Sequence, residues 1–211
     1  MPAYAAPRVV ASNEYRFVTR WRVQGTVDEV FDVLQDPEDL VRWWPSVYLD
    51  VRVLEAGDEN GVGRVVSLFT KGWLPYTLRW WFRTTEVTKP IGFAIEASGD
   101  FVGTGVWTLE QEGTWVQATY DWRIDAQKPL LRRLSFLVKP VFEANHRWAM
   151  ARGEESLALE LRRRHMVVGE QALLPAPPGP TSQRAFLAAG AGALALGISA
   201  AAAAFRLRRR A

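Results

Sequence analysis

Three side chains that could do chemistry fall on one line of a predicted helix. Folding Pro129–His165 into a helix places Val141, Asn145, Trp148, Arg152, Glu155 and Leu159 on one face, in alternating steps of four and three. An amide, a guanidinium and a carboxylate on an inward-looking face are rarely buried without partners. One reading makes them the polar end of a ligand pocket, with Arg152 meeting a carboxylate, carbonyl or phosphate and Trp148 forming part of the wall. The other is structural. Arg152 and Glu155 stand three apart and can pair with each other, while Asn145 ties down a strand end. Pro140 shifts the phasing of the two halves if it kinks the helix.

Other candidates carry less. His146 lies off that line by helical phase and is expected at an edge or in solvent, and His165 ends the helix, where a cation suits the dipole. No second histidine stands at ligand spacing, so neither a metal nor any other cofactor is expected. The absence of cysteine excludes thiolate catalysis and cysteine-based zinc sites. No serine–histidine–aspartate nucleophile motif appears. Gly99–Gly105 is not a dinucleotide loop, because Val106-Trp107-Thr108-Leu109 continues as strand rather than opening a helix. Trp73-Leu74-Pro75-Tyr76 is an apolar loop between strands. It either folds back on the core or forms a pocket lip or membrane contact through Trp73 and Tyr76.

The elements that must position these residues are legible from their periods. Tyr15, Phe17, Thr19, Trp21 and Val23 alternate with mostly arginine, as in a half-buried strand over Tyr15–Gln24. Thr26-Val-Asp-Glu29 reads as a capping box opening a short helix through Leu34. Asp36-Pro37 starts another that Trp43-Trp44-Pro45 ends. Six strands follow, at Val47–Glu55, Gly63–Thr70, Thr77–Val87, Phe93–Ser98, Gly103–Glu110 and Trp115–Asp125, separated by glycine and proline breakers. Clean alternation suits an antiparallel sheet with one covered face. The order predicts an α+β fold: a curved seven-stranded antiparallel sheet around a long C-terminal helix, with two short helices closing one end. Trp44, Trp80, Tyr120 and Trp122 are the expected walls of a cavity between sheet and helix.

Charge separates the folded domain from the C-terminal region. The chain of 211 residues carries a formal net charge of +3, yet Arg184, Arg206, Arg208, Arg209 and Arg210 lie beyond residue 180, where no acid occurs. Setting those five aside leaves 21 basic against 23 acidic residues, so residues 1–180 show no surplus to attract nucleic acid. Ala185–Phe205 has no charge and the length of a bilayer-crossing helix. Eleven alanines and three glycines make it a middling one. Ala185, Ala189, Ala193, Gly197 and Ala201 form a small-residue ladder that could pack helices. The expected organisation is an N-terminal tail (1–13), a folded domain (14–165), a proline-rich spacer (166–184), a transmembrane helix (185–205) and a basic tail (206–211). The terminal arginines favour a cytoplasmic C-terminus. Met1–Tyr15, however, lacks the apolar stretch of a signal peptide. The expected arrangement is therefore a cytoplasmic domain on a single C-terminal anchor.

Several residues carry a family resemblance over roughly 14–164. They are Trp43-Trp44-Pro45 after an Asp-Pro-Glu helix start, Gly99-Asp100-Phe101 with Gly103, Gly105 and Trp107, and Asn145-His146-Arg147-Trp148 running into Arg152-Gly153-Glu154-Glu155. With the order of elements, these resemble the START-related helix-grip superfamily (SRPBCC), in particular its polyketide cyclase/dehydrase and lipid-transport family. The resemblance implies binding of lipids, polyketides, isoprenoids or other apolar molecules, with catalysis in some members only. The expectation is a membrane-tethered binding, transport or presentation module for a small apolar ligand, more a binding protein than an enzyme. Two alternatives stay open. One is a polyketide cyclase/dehydratase-type enzyme, for which Glu155 is the helix-borne acid or base. The other is an interaction module whose cavity is filled by side chains.

Overall fold

The computed structural model describes residues 14–126, 135–167 and 169–182. The N-terminal tail, the apolar run 185–205 and the basic tail lie outside them. Within them, β1 (Glu14–Gln24) leads into α1 (Val27–Leu34) and the single turn α2 (Leu40–Trp43). Six strands follow: β2 (Tyr48–Glu55), β3 (Val65–Lys71), β4 (Thr77–Thr88), β5 (Gly92–Gly99), β6 (Phe101–Glu112) and β7 (Trp115–Ala126). The long helix α3 (Ser135–His165) comes next, and a 3-10 turn at Glu170–Leu173 follows it.

All seven strands join one antiparallel sheet in the order β1-β7-β6-β5-β4-β3-β2. Register shifts at Tyr48/Asp50, Val53/Glu55 and Thr84/Glu86 mark bulges, which bend a strand and increase its twist. The period-two expectation holds for the edge strand β1 and its neighbour β7. Tyr15, Trp21 and Val23 of β1, with Val116, Ala118, Tyr120, Trp122 and Ile124 of β7, point into the core. Their alternates, such as Arg16 and Asp121, pair on the outer face at 3.0 Å.

The capping box is present. Thr26 accepts from the Glu29 amide and Glu29 accepts from the Thr26 amide, so two free donors of α1 are satisfied. α2 starts later than its proline suggests. Asp36 first makes a side-chain turn with the Glu38 amide at 3.1 Å, and the helix opens only at Leu40.

Strands alternate direction, so the connections 72–76 and Asp100 lie at one end of the sheet and 89–91 and 113–114 at the other. α3 ends at the second of these. His165 bonds Glu29 of α1 there, and Glu160 is held by Arg42 of α2 at 2.7 and 2.8 Å. The segment after α3 does not leave as a free spacer. Gln171 Nε2 donates to the Arg163 carbonyl at 3.1 Å, and the proline-rich run then returns along the molecule. It ends at Thr181, whose hydroxyl donates to the Gly72 carbonyl at 3.2 Å and whose carbonyl accepts from Lys71 Nζ.

No helix among the described residues is long and apolar enough to cross a membrane.

Candidate functional site

Which face of α3 looks inward is decided by small residues. Phe142, Asn145, Met150, Gly153, Ser156, Leu157, Glu160 and Leu161 are buried, a line turned by about one residue from the expected one, with Leu159 at its edge. Gly153 sits against two indoles. A Cβ there would lie 2.3 Å from Cζ2 of Trp44 and 2.6 Å from Cζ2 of Trp21. The tryptophans of β1 and of the α2–β2 junction thus occupy space that a helix side chain would need, and they set the helix's rotation.

Arg152 and Glu155 turn outward as a consequence. They pair with each other at 2.7 Å, with side chains 42 and 50 % exposed, and neither lines the cavity. Trp148 is half-buried and stands outside the cavity wall as well. Asn145 is the one member of the expected polar set that reaches it. Its Oδ1 accepts from the Leu74 amide at 3.3 Å. That bond fixes the orientation of the side-chain amide and leaves Nδ2 as a donor with no acceptor among the described residues. Asn145 therefore does tie down the β3–β4 connection while lining the cavity.

The cavity lies between α3 and the concave side of the sheet, in two lobes. The outer lobe, about 110 Å³, is bounded by Lys71 and Gly72 at the end of β3, by Asn145, His146 and Ala149 of α3, and by Trp80, Phe101 and Trp122 of the sheet. The inner lobe, about 90 Å³, runs toward Leu34, Leu40 and Arg64. Trp44, Tyr48, Trp80, Tyr120 and Met150 wall both. Four of the expected aromatics, Trp44, Trp80, Tyr120 and Trp122, are thus brought together around one space. They are ordered by stacking. Tyr120 lies 4.4 Å from Trp107 and 5.5 Å from Trp122 between ring centroids, near-parallel to both, and Trp80 meets Trp122 at 5.7 Å.

Apart from Lys71 and Arg64, whose cationic groups donate to the Thr181 and Gln35 carbonyls, the polar groups lining this space are neutral. Trp80 Nε1 donates to Thr70 Oγ1 at 3.1 Å. Burial pushes the Tyr48 and Tyr120 phenols well above their ordinary range, with each other's proximity adding to the effect at Tyr120. Neither hydroxyl has a hydrogen-bond partner among the described residues, and the same holds for the Trp44 indole N–H. Gly105 makes room for Tyr120, since a Cβ would come within 2.4 Å of its hydroxyl. These groups can hydrogen-bond a neutral polar atom on an otherwise apolar guest, at the cost of leaving buried donors unmet when the cavity is empty.

His146 lines the outer lobe, contrary to its expected place in solvent or at an edge. It stacks on Phe17 of β1 at 4.1 Å, and Nε2 stands 3.4 Å from Thr19 Oγ1. Burial, and then the charge of Arg147, bring its pKa down to about 4, so the imidazole is neutral at pH 7. The strand alternation that puts Phe17 and Thr19 inward is the only sequence signal for this contact. The connection 72–76 folds back rather than projecting. Leu74 is buried, Trp73 is half-buried and Tyr76 packs against the core. Burial, then Tyr15, push the Tyr76 phenol up to about 12. The loop closes the end of the cavity through Lys71 and Gly72, while Trp73 and Tyr76 are not in the wall.

A long helix packed into the concave face of a seven-stranded antiparallel meander, with two short helices between β1 and β2, has counterparts among solved structures. The Zhui aromatase/cyclase from Streptomyces sp. R1128 superposes with a TM-score of 0.58 at 18% identity, covering 74% of this chain and 98% of its own. A START superfamily protein from Mycobacterium smegmatis gives 0.54 at 11% identity, with coverages of 71% and 98%. The chain thus has the helix-grip fold. The Thermus thermophilus protein TTHA0849 shares the helix-grip architecture at 0.56 and 16% identity, covering 68% and 97%. No family model matches the sequence, and no curated protein does. At these identities the likeness extends to the fold, and the helix-grip frame leaves activity to be argued from the cavity.

Proposed function

We propose that this chain binds a small, neutral, apolar molecule in the two-lobed cavity, and that residues 185–205 tether the domain to a membrane. The observation that carries the first part is an aromatic-walled space holding unpartnered hydroxyls and an amide donor but no carboxylate, with its two cations, Lys71 and Arg64, bonded to backbone carbonyls. Its size argues for a compact guest. Engineered cavities of about 150 Å³ admit a single benzene ring, whereas drug-sized sites run from roughly 300 Å³ upward. Neither lobe alone, at about 110 and 90 Å³, reaches the smaller of these sizes, so a ring or short isoprenoid-like guest needs the two joined by movement of Met150, the most adaptable shared wall. One helix-grip neighbour is named an aromatase/cyclase, and that name supports a ring-bearing, apolar guest. The tether rests on sequence: an uncharged run of bilayer length followed by four arginines.

Titrating the full chain with acetophenone, a ring bearing one carbonyl, tests the cavity. Tryptophan fluorescence should be quenched saturably. Tyr120→Phe should weaken the affinity about 2- to 10-fold, the worth of one hydrogen bond. Ala149→Phe should fill the outer lobe and abolish the response while the protein stays folded. Saturable quenching that persists in the Ala149→Phe protein would place the guest elsewhere.

A second reading has one observation in its favour. The lobes are small enough to be packing space, which suits an interaction module with a filled interior. An enzyme would have to rely on His146 as its base. Glu155 is exposed and paired with Arg152, away from the cavity.

A further inference from the structure

The segment after α3 runs back to the cavity mouth, and that return fixes where the apolar tail must begin. Gln171 is pinned beside Arg163, and Thr181 is pinned to Gly72, which itself abuts Asn145. From 163 back to 145 the helix covers about 27 Å at 1.5 Å per residue. From 171 to 181 the segment covers about 29 Å, at roughly 2 Å per residue to the end of the 3-10 turn at Leu173 and roughly 3.1 Å per residue through the proline-rich run. The two lengths match, so the strap lies nearly taut along the helix. Prolines 175, 177, 178 and 180 stiffen it and lower the entropy lost in holding it there. Its end meets Lys71 and Gly72, both in the wall of the outer lobe.

A free chain from His165 to Ala185 could reach about 65 Å. Pinned at Thr181, the chain has only four residue steps left before the apolar run begins at Ala185, a reach of about 13 Å. We propose that the strap holds the cavity mouth against the surface of a lipid bilayer, so that the guest passes between membrane and cavity without crossing water. This rests on the tether reading above. It adds a partner and an orientation: the lipid bilayer faces the end formed by 72–76, with the 113–114 turn pointing away. β7, which runs between the two ends, spans about 40 Å.

The chain has no cysteine, so single labels are unambiguous. The full chain carrying Pro75→Cys or Thr114→Cys, each with a fluorophore, is reconstituted into phosphatidylcholine vesicles containing headgroup-spin-labelled lipid. Flotation is scored first. The label at 75 should be quenched at least about threefold more than the label at 114. Unpinning the strap with Lys71→Met plus Thr181→Val should bring the two values together. Equal quenching in protein that floats would overturn the proposed orientation and leave the tether standing. A contrast unchanged by unpinning would overturn the strap's part in it. Failure to float would overturn the tether reading and the inference with it.

Discussion

At Gly153 the absence of a side chain is the structural information. Alanine is the better helix former by about 1 kcal/mol, so propensity alone predicts that Gly153→Ala stabilises the protein. The space argues the other way, because its Cβ would lie within 2.3 Å of Trp44 and 2.6 Å of Trp21, both held in the core. Overpacking of this kind costs about 1–3 kcal/mol. The expected outcome is a net loss, read as a lower urea midpoint, and a gain would show that the indoles yield freely. The same residue explains why the helix face is hard to read from sequence. Ala149, Gly153 and Ser156 look inward without any apolar signature, while Trp148 invites an inward assignment and stands outside the cavity. His146 is illegible for a related reason, since its partners Phe17 and Thr19 come from a strand over a hundred residues away. The aromatic walls are legible because strand alternation depends only on immediate neighbours.

Among the elements, the contact between α2 and α3 holds the cavity's tryptophans in place. Glu160 is buried on α3 and accepts two bonds from Arg42 of α2, one from Arg164 at 3.0 Å and one from Arg163 at 3.3 Å. Arg42 in turn precedes Trp43 and Trp44, so this bridge sets the position of a cavity wall. Burial works against the Glu160 charge, but the hydrogen bonds from Arg42 and Arg164 outweigh it, and the carboxyl lies below its ordinary range. Glu160→Gln should cost about 1–3 kcal/mol, less than a fully buried pair because Arg42 remains partly solvated. A lowered folded pKa means that this stabilisation is complete above the unfolded value of about 4.3. It fades as pH falls through the folded one. The gap between wild type and Glu160→Gln in chemical denaturation should therefore be constant above about pH 5 and shrink below about pH 4. A gap that widens on acidification would refute this assignment. Helical spacing makes the pairing of Glu160 with Arg163 and Arg164 legible, but Arg42 is not, because it meets Glu160 only through the fold.

For the whole molecule, the sheet, long helix and two short helices follow from periodicity and from the order of elements. The return of the strap does not, because four prolines fix its stiffness and leave its direction to two hydrogen bonds at Thr181. The cavity's modest size is equally hidden, since counting aromatic residues does not distinguish those that line a space from those that fill it. Its central role is open to a direct measurement. The full chain is purified from its own cells in mild detergent and weighed by native mass spectrometry, with solvent extraction of whatever it carries. A neutral apolar molecule at near-unit stoichiometry, absent from the Ala149→Phe protein, is the predicted result. An empty wild-type protein that also takes up none of a panel of one- and two-ring ketones, phenols and short isoprenoids would contradict the account and make the interior packing space.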